Sequence, residues 1–435
     1  MWLKGCGSAG ENAERLVRVD DVGECQAPSR QDEESKDSCV DMLRRSRKSL
    51  LQLAFLCVVI YFIVSLLRPS TPKVFSWNTI RYRTTAESLP EARGTCPGLE
   101  KGSKPALAVS HVKADGDTEW LERLSSKYHL CIYEVDAPSD PTVKNLRVPA
   151  NRGHESITYL TFLIDNYDSI PQAGAVFVHG SRFQWHNDDP LYDNAASLAA
   201  LNVPSALAAT GYHNLRCDWN AGTCSKDFGP PQGSFENTIN SVLQPWSARS
   251  VSDAAMPQAF AVLFGGDEYL KHGKSKGLKL GRSDTLRAQC CAQFVVSRES
   301  IHRHSREEYI AIRQWLLDGY GMSRNANAAP RDDRIAGRVL SYLWHALFIP
   351  QQDGPVDLDE LNKQACPSAA DCYCRLYGKC DLRCNLGACD GQYRVPPYMR
   401  LPDNWAELHK SDVYDVQEPG VKALHGRLYP KAFEP

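Results

Sequence analysis

Residues Ser49–Leu67 read SLLQLAFLCVVIYFIVSLL, an apolar run that contains no charged side chain. As a helix that rises about 1.5 Å per residue, it can cross a bilayer core, given slight thinning of the bilayer. The alternative is a buried core helix, and apolar residues on every face favour the membrane span. A cleaved signal peptide fits poorly, because the run is too long and no small-x-small cleavage site follows. The sequence therefore predicts a single membrane anchor.

Basic residues are concentrated before this anchor. Arg44, Arg45, Arg47 and Lys48 precede it, whereas basic residues are sparser after it. Cytosolic flanks of membrane helices carry an excess of Lys and Arg, so this asymmetry predicts a cytosolic N-terminus. The chain beyond about residue 68 is then lumenal or extracellular, which makes the protein a type II single-pass membrane protein.

Cysteine usage agrees with that compartment. Twelve of the 16 cysteines lie beyond the anchor, and an oxidising lumen would pair an even number of them. The spacing predicts that Cys217 and Cys224 close a small loop. The adjacent Cys290 and Cys291 are expected to pair with different partners. The six cysteines within 366–389 are expected to form disulfides and to staple a C-terminal cap.

Composition shifts divide the chain into five regions. The net charge of −2 gives no bulk attraction to nucleic acid, so no nucleic-acid partner is expected. The predicted regions are a disordered tail (1–48), the anchor (49–67), a stem (68–104), an α/β domain (105–350) and a Cys- and Pro-rich extension (351–435).

The periodicity of the long domain predicts strands and helices in alternation. Predicted strands are Ala106–His111, Leu130–Val135, Ala175–Val178, Ala259–Phe264 and Ala292–Val296. Predicted helices are Asn151–Tyr167, Arg306–Leu317 and Arg334–Phe348. This order indicates an α/β fold, with a mixed or parallel sheet and flanking helices.

Three predicted strands end in polar clusters, at residues 111–117, at residue 136 and at residues 179–189. Parallel strands would bring these clusters to one edge, where open α/β sheets bind ligands. In the third cluster, His179, His186, Asp188 and Asp189 offer nitrogen and oxygen ligands that suit Mn²⁺ or Zn²⁺ better than Mg²⁺. The alternative is loop capping, because carboxylates before a proline are good turn formers.

A second candidate site lies at the predicted start of the helix after the second strand. Asn151, Arg152, Gly153, His154 and Glu155 stand where free backbone N–H groups and the helix dipole favour an anion. Arg152 and His154 would add donors suited to a diphosphate, and Gly153 permits close backbone approach. The alternative is an asparagine cap followed by a glutamate in the first turn.

Further candidates concern proton transfer. The segment Leu215–Cys224 presents Asp218, and either Asp218 or Glu155 is a candidate base for an acceptor hydroxyl. His345 lies near the end of a predicted amphipathic helix. A lone helical histidine is more often structural, so a catalytic role for His345 competes with a packing role.

Several long motifs resemble a fungal family of membrane-anchored domains of unknown function. The resemblance covers about His111 to Cys380 and implies no activity by itself. The motifs are, in order, NRGHESITYLTFLIDNYDSIP, FVHGSRFQWHNDDPLYD, GYHNLRCDW, CCAQFVVSRE, RVLSYLWHALF and CYCRLYGKC.

A remoter resemblance is to GT-A glycosyltransferases. In that class an Asn-x-Gly stretch and a helix precede a strand that ends in an Asp-x-Asp metal motif. Here the NRGHE stretch precedes a strand that ends in His179-Gly180-Ser181, and the Asp-x-Asp is absent. The short tail, single anchor and stem also resemble Golgi-resident transferases, which implies a Golgi location.

The leading hypothesis is a lumenal transferase that moves a sugar from a nucleotide donor to a glycan or glycoprotein, assisted by Mn²⁺ or another divalent metal. A metal-dependent hydrolase is one alternative. The other is a non-catalytic carbohydrate-binding module, in which Trp185, Trp219 and Tyr192 form a platform for sugars.

Overall fold

The chain forms two compact units, Met1–Pro69 and Ser70–Pro435. The first unit contains the helix α1, Arg47–Val64, which is long and apolar enough to cross a membrane. Its apolar side chains are exposed on every face, as expected of a helix covered by lipid and not by protein. The computed structural model describes residues 47–64, 74–75, 77–138, 145–225, 227, 229–272, 280–320, 327–351 and 356–409. The end of the predicted anchor, residues 65–67, lies outside the described residues.

The second unit is built on a six-stranded sheet with the order β3-β2-β1-β4-β6-β5. Strands β1 to β4 are parallel, whereas β6 is antiparallel to both of its neighbours, so the sheet is mixed. The predicted α/β class with a mixed sheet and flanking helices is therefore confirmed. The strands are β1 (Ala106–His111), β2 (His129–Glu134), β3 (Leu146–Arg147), β4 (Ala175–His179), β5 (Tyr212–Asn214) and β6 (Phe294–Val296).

Helices cover both faces of this sheet, which explains why its central strands are apolar without alternation. The helices are α2 (Glu119–Glu122), α3 (Glu155–Asp165), α4 (Asn194–Ala200), α5 (Val203–Leu207), α6 (Phe235–Leu243), α7 (Ala248–His272), α8 (Arg298–Ile301), α9 (Arg306–Asp318), α10 (Asp333–Ser341), α11 (Trp344–Phe348), α12 (Leu358–Ala365), α13 (Ala369–Tyr377) and α14 (Trp405–His409). Short 3₁₀ turns occupy Leu99–Lys101, Lys113–Asp115, Arg123–Ser126, Tyr167–Ser169 and Pro397–Met399.

Two apolar layers follow from the alternation of side chains along each strand. Ala106 and Ala108 of β1 face a core that includes α3, α7 and α9. Leu107 and Val109 face a second core formed with α2, α4 and α13. The C-terminal helix α13 thus belongs to the packing of the sheet.

Two predictions of secondary structure need correction. Ala259–Phe264 is not a strand but part of α7, because a short uniformly apolar run fits a buried helix as well as a buried strand. The predicted helix Arg334–Phe348 is two helices, α10 and α11, separated by Tyr342 and Leu343.

Most of the predicted stem is part of the folded unit. Trp77 is buried against α7, with its ring centroid 5.1 Å from that of Phe260 and 5.6 Å from that of Phe264. Val74–Phe75 pairs as a short antiparallel strand with Val356–Asp357. The segment that can act as a tether is therefore much shorter than residues 68–104.

All twelve cysteines beyond the anchor form disulfides, but two of the predicted pairings are wrong. Cys217 bonds with Cys372 and Cys224 with Cys366, so the loop 217–224 is joined to the C-terminal region and is not closed on itself. The adjacent Cys290 and Cys291 pair with each other. The remaining bonds are Cys96–Cys131, Cys374–Cys380 and Cys384–Cys389.

Candidate functional site

Polar side chains gather where β1, β2 and β4 end. The chain passes from β1 to β2 on one side and later to β4 on the other, so the order of strands reverses at β1. Ligands of open α/β sheets bind outside the carboxyl ends of the strands at such a switch point. The group formed by His111, Asp115, Glu134, His179, Ser181 and His186 is called the polar edge below.

The ends of β1 and β2 are joined by an imidazole–carboxylate pair. Nδ1 of His111 lies 3.0 Å from Oε2 of Glu134, and its Nε2 lies 2.9 Å from the carbonyl oxygen of Gly116. Burial opposes a charged ring, but these two bonds together raise the pKa of His111 above its ordinary value. The backbone N–H of Lys113 also donates to Asp136, so the first two predicted clusters meet.

The ends of β1 and β4 meet through Asp115. The hydroxyl of Ser181 donates to Oδ1 of Asp115, and the backbone N–H of Val112 donates to Oδ2 at 3.0 Å. Gly180 is required between them, because a Cβ there would lie 2.8 Å from Oδ2 of Asp115 and 2.9 Å from Cα of His111. The predicted convergence of three strand ends is thus confirmed.

The two histidines of the third cluster contact each other. The ring centroids of His179 and His186 are 4.6 Å apart, and Nε2 of His179 lies 2.9 Å from Oδ1 of Asn187. Burial lowers the pKa of both imidazoles, most strongly that of His186. Both rings are therefore neutral near pH 7 and act through hydrogen bonds and not through charge.

Asp188 holds other parts of the chain together. Its Oδ2 accepts hydrogen bonds from the backbone N–H groups of Cys217 at 2.5 Å and Asp218 at 3.0 Å. Its Oδ1 accepts a bond from the Tyr373 hydroxyl at 2.5 Å. Asp189 accepts from the N–H of Leu191, and burial raises its pKa to about 6. Asp189 thus fits the loop-capping alternative, whereas Asp188 joins distant segments of the chain.

The four predicted ligands do not fit a preformed metal site. Within the described part of the chain, three ligand atoms within 4.8 Å of one another occur at Cys96, His129 and Cys131, and not among the predicted four. Cys96 and Cys131 are bonded to each other, so neither offers the thiolate that a metal needs.

The segment 215–220 continues the polar edge toward the C-terminal region. Nη1 of Arg216 donates to the carbonyl oxygen of His186 at 2.8 Å, and its Nε donates to the carbonyl oxygen of Asp218 at 3.1 Å. The guanidinium lies 3.8 Å above the ring of Tyr393, and Nη2 lies 3.8 Å from Oδ1 of Asp218. Arg216 therefore connects the polar edge with Asp218.

Asp218 is a carboxylate that can exchange a proton near neutral pH. Burial raises its pKa to about 6, although bonds from Asn220 and the charge of Arg216 favour the ionised form. A group that titrates near neutrality is effective as a general base. Asp218 also lines an open surface pocket of about 490 Å³. The pocket is lined further by Asn220, Ala388, Cys389, Asp390, Gly391, Tyr393, Arg394 and Val395.

At the start of α3 the predicted diphosphate site is filled by the protein itself. The guanidinium of Arg152 is 2 % exposed and bonds with the carbonyl oxygens of Leu316, Pro330 and Arg331. Its Nη1 also pairs with Asp333 at 2.7 Å. Every nitrogen of this guanidinium is thus bonded within the protein, and a ligand would have to displace those bonds.

The neighbours of Arg152 differ in their surroundings. Asn151 and His154 are exposed, and His154, not Asn151, is the N-cap residue of α3. Gly153 donates its N–H to Asp333 at 2.6 Å, and a Cβ there would lie 2.5 Å from a methyl group of Leu316. Glu155 is partly buried, and burial raises the pKa of its carboxyl group.

Glu155 stands near the polar edge on the α3 side of the sheet. Thr158, one turn further along α3, donates a hydrogen bond to Ser110 at 3.0 Å. Ser110 lies opposite His179 in the pairing of β1 with β4. Since residues three apart share a helix face, Glu155 remains a candidate base beside Asp218.

His345 lies within the apolar core. Its neighbours Trp344 and Ala346 are core residues, and neither ring nitrogen has a hydrogen-bond partner in the described part of the chain. Burial lowers the pKa of His345 to about 3, so the ring is neutral at physiological pH. These surroundings match the packing role better than proton transfer.

The aromatic residues of the predicted sugar platform are separated. Trp185 contacts His186, with ring centroids 5.2 Å apart. Trp219 donates its indole N–H to the carbonyl oxygen of Pro367. Tyr192 packs between Tyr393 and Trp405. Trp219 and Tyr192 therefore anchor the C-terminal region.

Sequence reasoning missed the part of the site that the C-terminal region supplies. Tyr373 bonds with Asp188, and Tyr393 lies under Arg216, across 185 and 177 residues of chain. The cysteines of this region predict a stapled cap and not a site. No local pattern links these residues to Asp218, because disulfides and tertiary packing bring them together.

Comparisons with known proteins identify a family whose description names no activity. The family model described as "Protein of unknown function (DUF3431)" matches residues 107–375, which include the polar edge and all of the sheet except Ala106. Neither the comparison with curated proteins nor the comparison with solved structures found a match.

Proposed function

This chain belongs to the DUF3431 family, and we propose that it is a type II membrane protein that transfers a sugar from a nucleotide donor to a glycan hydroxyl. The observation that carries the proposal is the position of Asp218. A carboxylate with a pKa of about 6 lines a pocket and is joined through Arg216 to the polar edge at the switch point of the sheet.

The proposed compartment is the lumen of the secretory pathway, with the Golgi as the expected location. A helix long enough to cross a membrane and six disulfides in the second unit support it. The basic residues before α1 support the orientation, because they favour a cytosolic N-terminus.

The remote resemblance to GT-A glycosyltransferases supports a nucleotide donor. α3 precedes β4, and β4 ends in His179-Gly180-Ser181 at the place where that class carries acidic residues. Although those acidic residues are missing from β4, the carboxylate of Asp115 bonds with Ser181 at the same place. An acid of the polar edge thus comes from the turn Lys113–Asp115, which follows the neighbouring strand β1.

The proposed reaction is displacement at the anomeric carbon. Asp218 accepts the proton of the acceptor hydroxyl, whose oxygen forms the new bond to the sugar. The bond from the sugar to the diphosphate breaks, and the nucleoside diphosphate leaves with the electron pair. The positive charge of Arg216 stabilises the negative charge that develops there, and the neutral imidazole of His186 supplies a hydrogen-bonding group.

The pocket suits an uncharged, hydroxyl-rich acceptor. Its volume of about 490 Å³ lies within the range of ordinary ligand pockets. Asp218, Asp390 and Asn220 offer oxygen acceptors for hydroxyl groups, and Arg394 adds donors. Two carboxylates beside one exposed arginine disfavour an acidic acceptor.

The test is a donor screen with the purified full chain and neutral oligosaccharide acceptors. We expect one nucleotide sugar to be consumed and its sugar to appear on the acceptor. Asp218→Asn should reduce transfer roughly 100-fold or more, since it removes the base and preserves the shape. Asp168→Asn, at an exposed position, is the matched control and should leave the rate unchanged.

Other outcomes would select the alternatives. Release of free sugar from the donor, without an acceptor product, would indicate a hydrolase. Glycan binding by calorimetry without consumption of any donor would indicate a carbohydrate-binding module. Absence of both binding and turnover in a folded protein would contradict the proposal.

A further inference from the structure

The helix α6 exposes an apolar face. Phe235, Ile239, Val242 and Leu243 follow the i, i+4, i+7, i+8 spacing of a single helix face, and Trp246 extends it beyond the helix end. These five side chains are between 40 % and 75 % exposed. Large apolar side chains clustered in this way mark a surface that binds another protein or a membrane.

The polar side of α6 carries almost no charge. Glu236 is its one ionisable residue, and the others are asparagine, threonine and serine. The helix is therefore suited to a surface that attracts it through apolar burial and aromatic anchoring, and not through charge. The headgroup–acyl boundary of a bilayer is such a surface, and tryptophan and phenylalanine are favoured there.

Chain length keeps the folded unit close to the membrane that α1 crosses. About ten residue steps separate Val64, the last described residue of α1, from Val74, which pairs with Asp357. Even fully extended, that segment spans no more than roughly 35 Å.

The position of α6 within the folded unit fits this short tether. Trp77, which follows the tether, packs on Phe260 and Phe264 of α7. α6 packs against α7 as well. One helix therefore contacts both the place where the tether enters the unit and the helix with the exposed apolar face.

From these observations we infer that the apolar face of α6, together with Trp246, inserts into the interfacial region of the membrane that anchors the protein. This inference rests on the membrane anchor of the proposed function, and it does not depend on sugar transfer. Because the helix is nearly uncharged, its insertion requires no anionic lipid and is insensitive to salt.

The test uses the full chain in nanodiscs made of a neutral phosphatidylcholine that carries bromine on its acyl chains. Bromine quenches nearby tryptophans, and the chain has nine tryptophans, none of them in the apolar run 49–67. We expect quenching relative to unbrominated nanodiscs, and we expect Trp246→Phe to remove most of it. The substitution is safe for folding, because Trp246 is 75 % exposed.

Trp185→Phe, at the partly buried tryptophan that contacts His186, is the matched control and should leave the quenching intact. Quenching that survives in Trp246→Phe, or that is absent in the wild type, would overturn the inference. If quenching is absent in the wild type, a protein partner and not lipid would cover the apolar face of α6. Failure of the chain to enter nanodiscs would instead contradict the anchor itself.

Discussion

The start of α3 and the segment 215–220 carry similar groups, an arginine close to carboxylates, and they use them differently. The guanidinium of Arg152 is enclosed by three carbonyl oxygens and Asp333. The guanidinium of Arg216 bonds with two carbonyl oxygens and lies over Tyr393, beside Asp218, a residue that lines an open pocket although its side chain is only 1 % exposed. The difference teaches that the residue types do not identify a site. What matters is whether the protein itself satisfies their hydrogen bonds.

The largest effect is expected from Arg152→Met, which keeps the length of the side chain and removes all its donors. Three carbonyl oxygens and the partly exposed Asp333 would lose their partner, and the free energy of unfolding should fall by about 3 kcal/mol. Denaturant unfolding measures this loss. If the variant keeps its stability but loses affinity for nucleotide sugars, the start of α3 is the donor site after all.

Replacing His345 tests whether this residue has a structural role, like Arg152, or a catalytic one. Its pKa is lowered to about 3 in the folded state, whereas an unfolded histidine has about 6.5. The unfolded state therefore binds more protons below pH 6.5, and wild-type stability falls as the pH decreases. Between pH 7 and pH 5 this histidine accounts for a loss of about 2 kcal/mol.

His345→Leu should remove that part of the acid sensitivity and leave sugar transfer intact. The measurement is the free energy of unfolding at pH 7 and at pH 5 for both proteins. His213, whose pKa burial lowers to about 4, remains in the variant, so some acid sensitivity persists. An unchanged acid profile combined with abolished turnover would show a catalytic role instead.

A smaller effect is expected on the pH dependence of transfer. Asp218 must be ionised to accept a proton, so kcat/KM should fall about tenfold for each pH unit below about 6. That decrease should be absent from the residual activity of Asp218→Asn. If both proteins show the same acidic decrease, the base is another group, with Glu155 the first to test.

Local patterns predicted four of the six strands, β1, β2, β4 and β6, and the polar residues that follow three of them, but missed β3 and β5. The apolar strands β1, β2 and β4 and the polar residues that follow them are readable from sequence because each depends on a few consecutive residues. Parallel pairing then brings the strand ends together, as the order of strands and helices implied.

The predictions failed where contacts join distant parts of the chain. Arg152 is enclosed by Pro330 and Arg331, and Cys217 is bonded with Cys372, 155 residues away. The strand predicted at Ala259–Phe264 is wrong for a local reason, because a uniformly apolar run fits a strand and a helix equally well. The contribution of the C-terminal region to the site could therefore be found only from the structure.

Asp188 and Asp218 allow the most direct test, because the two neighbouring carboxylates are assigned opposite roles. Asp188→Asn should lower the free energy of unfolding by about 2–3 kcal/mol, because its oxygens accept three hydrogen bonds, while the folded fraction keeps its specific transfer rate. Asp218→Asn should change stability at pH 7 by less than about 1 kcal/mol, because burial already disfavours its charge, and should lower transfer at least about 100-fold. The two variants are measured side by side. The account is contradicted if Asp218→Asn retains transfer while folded Asp188→Asn loses it.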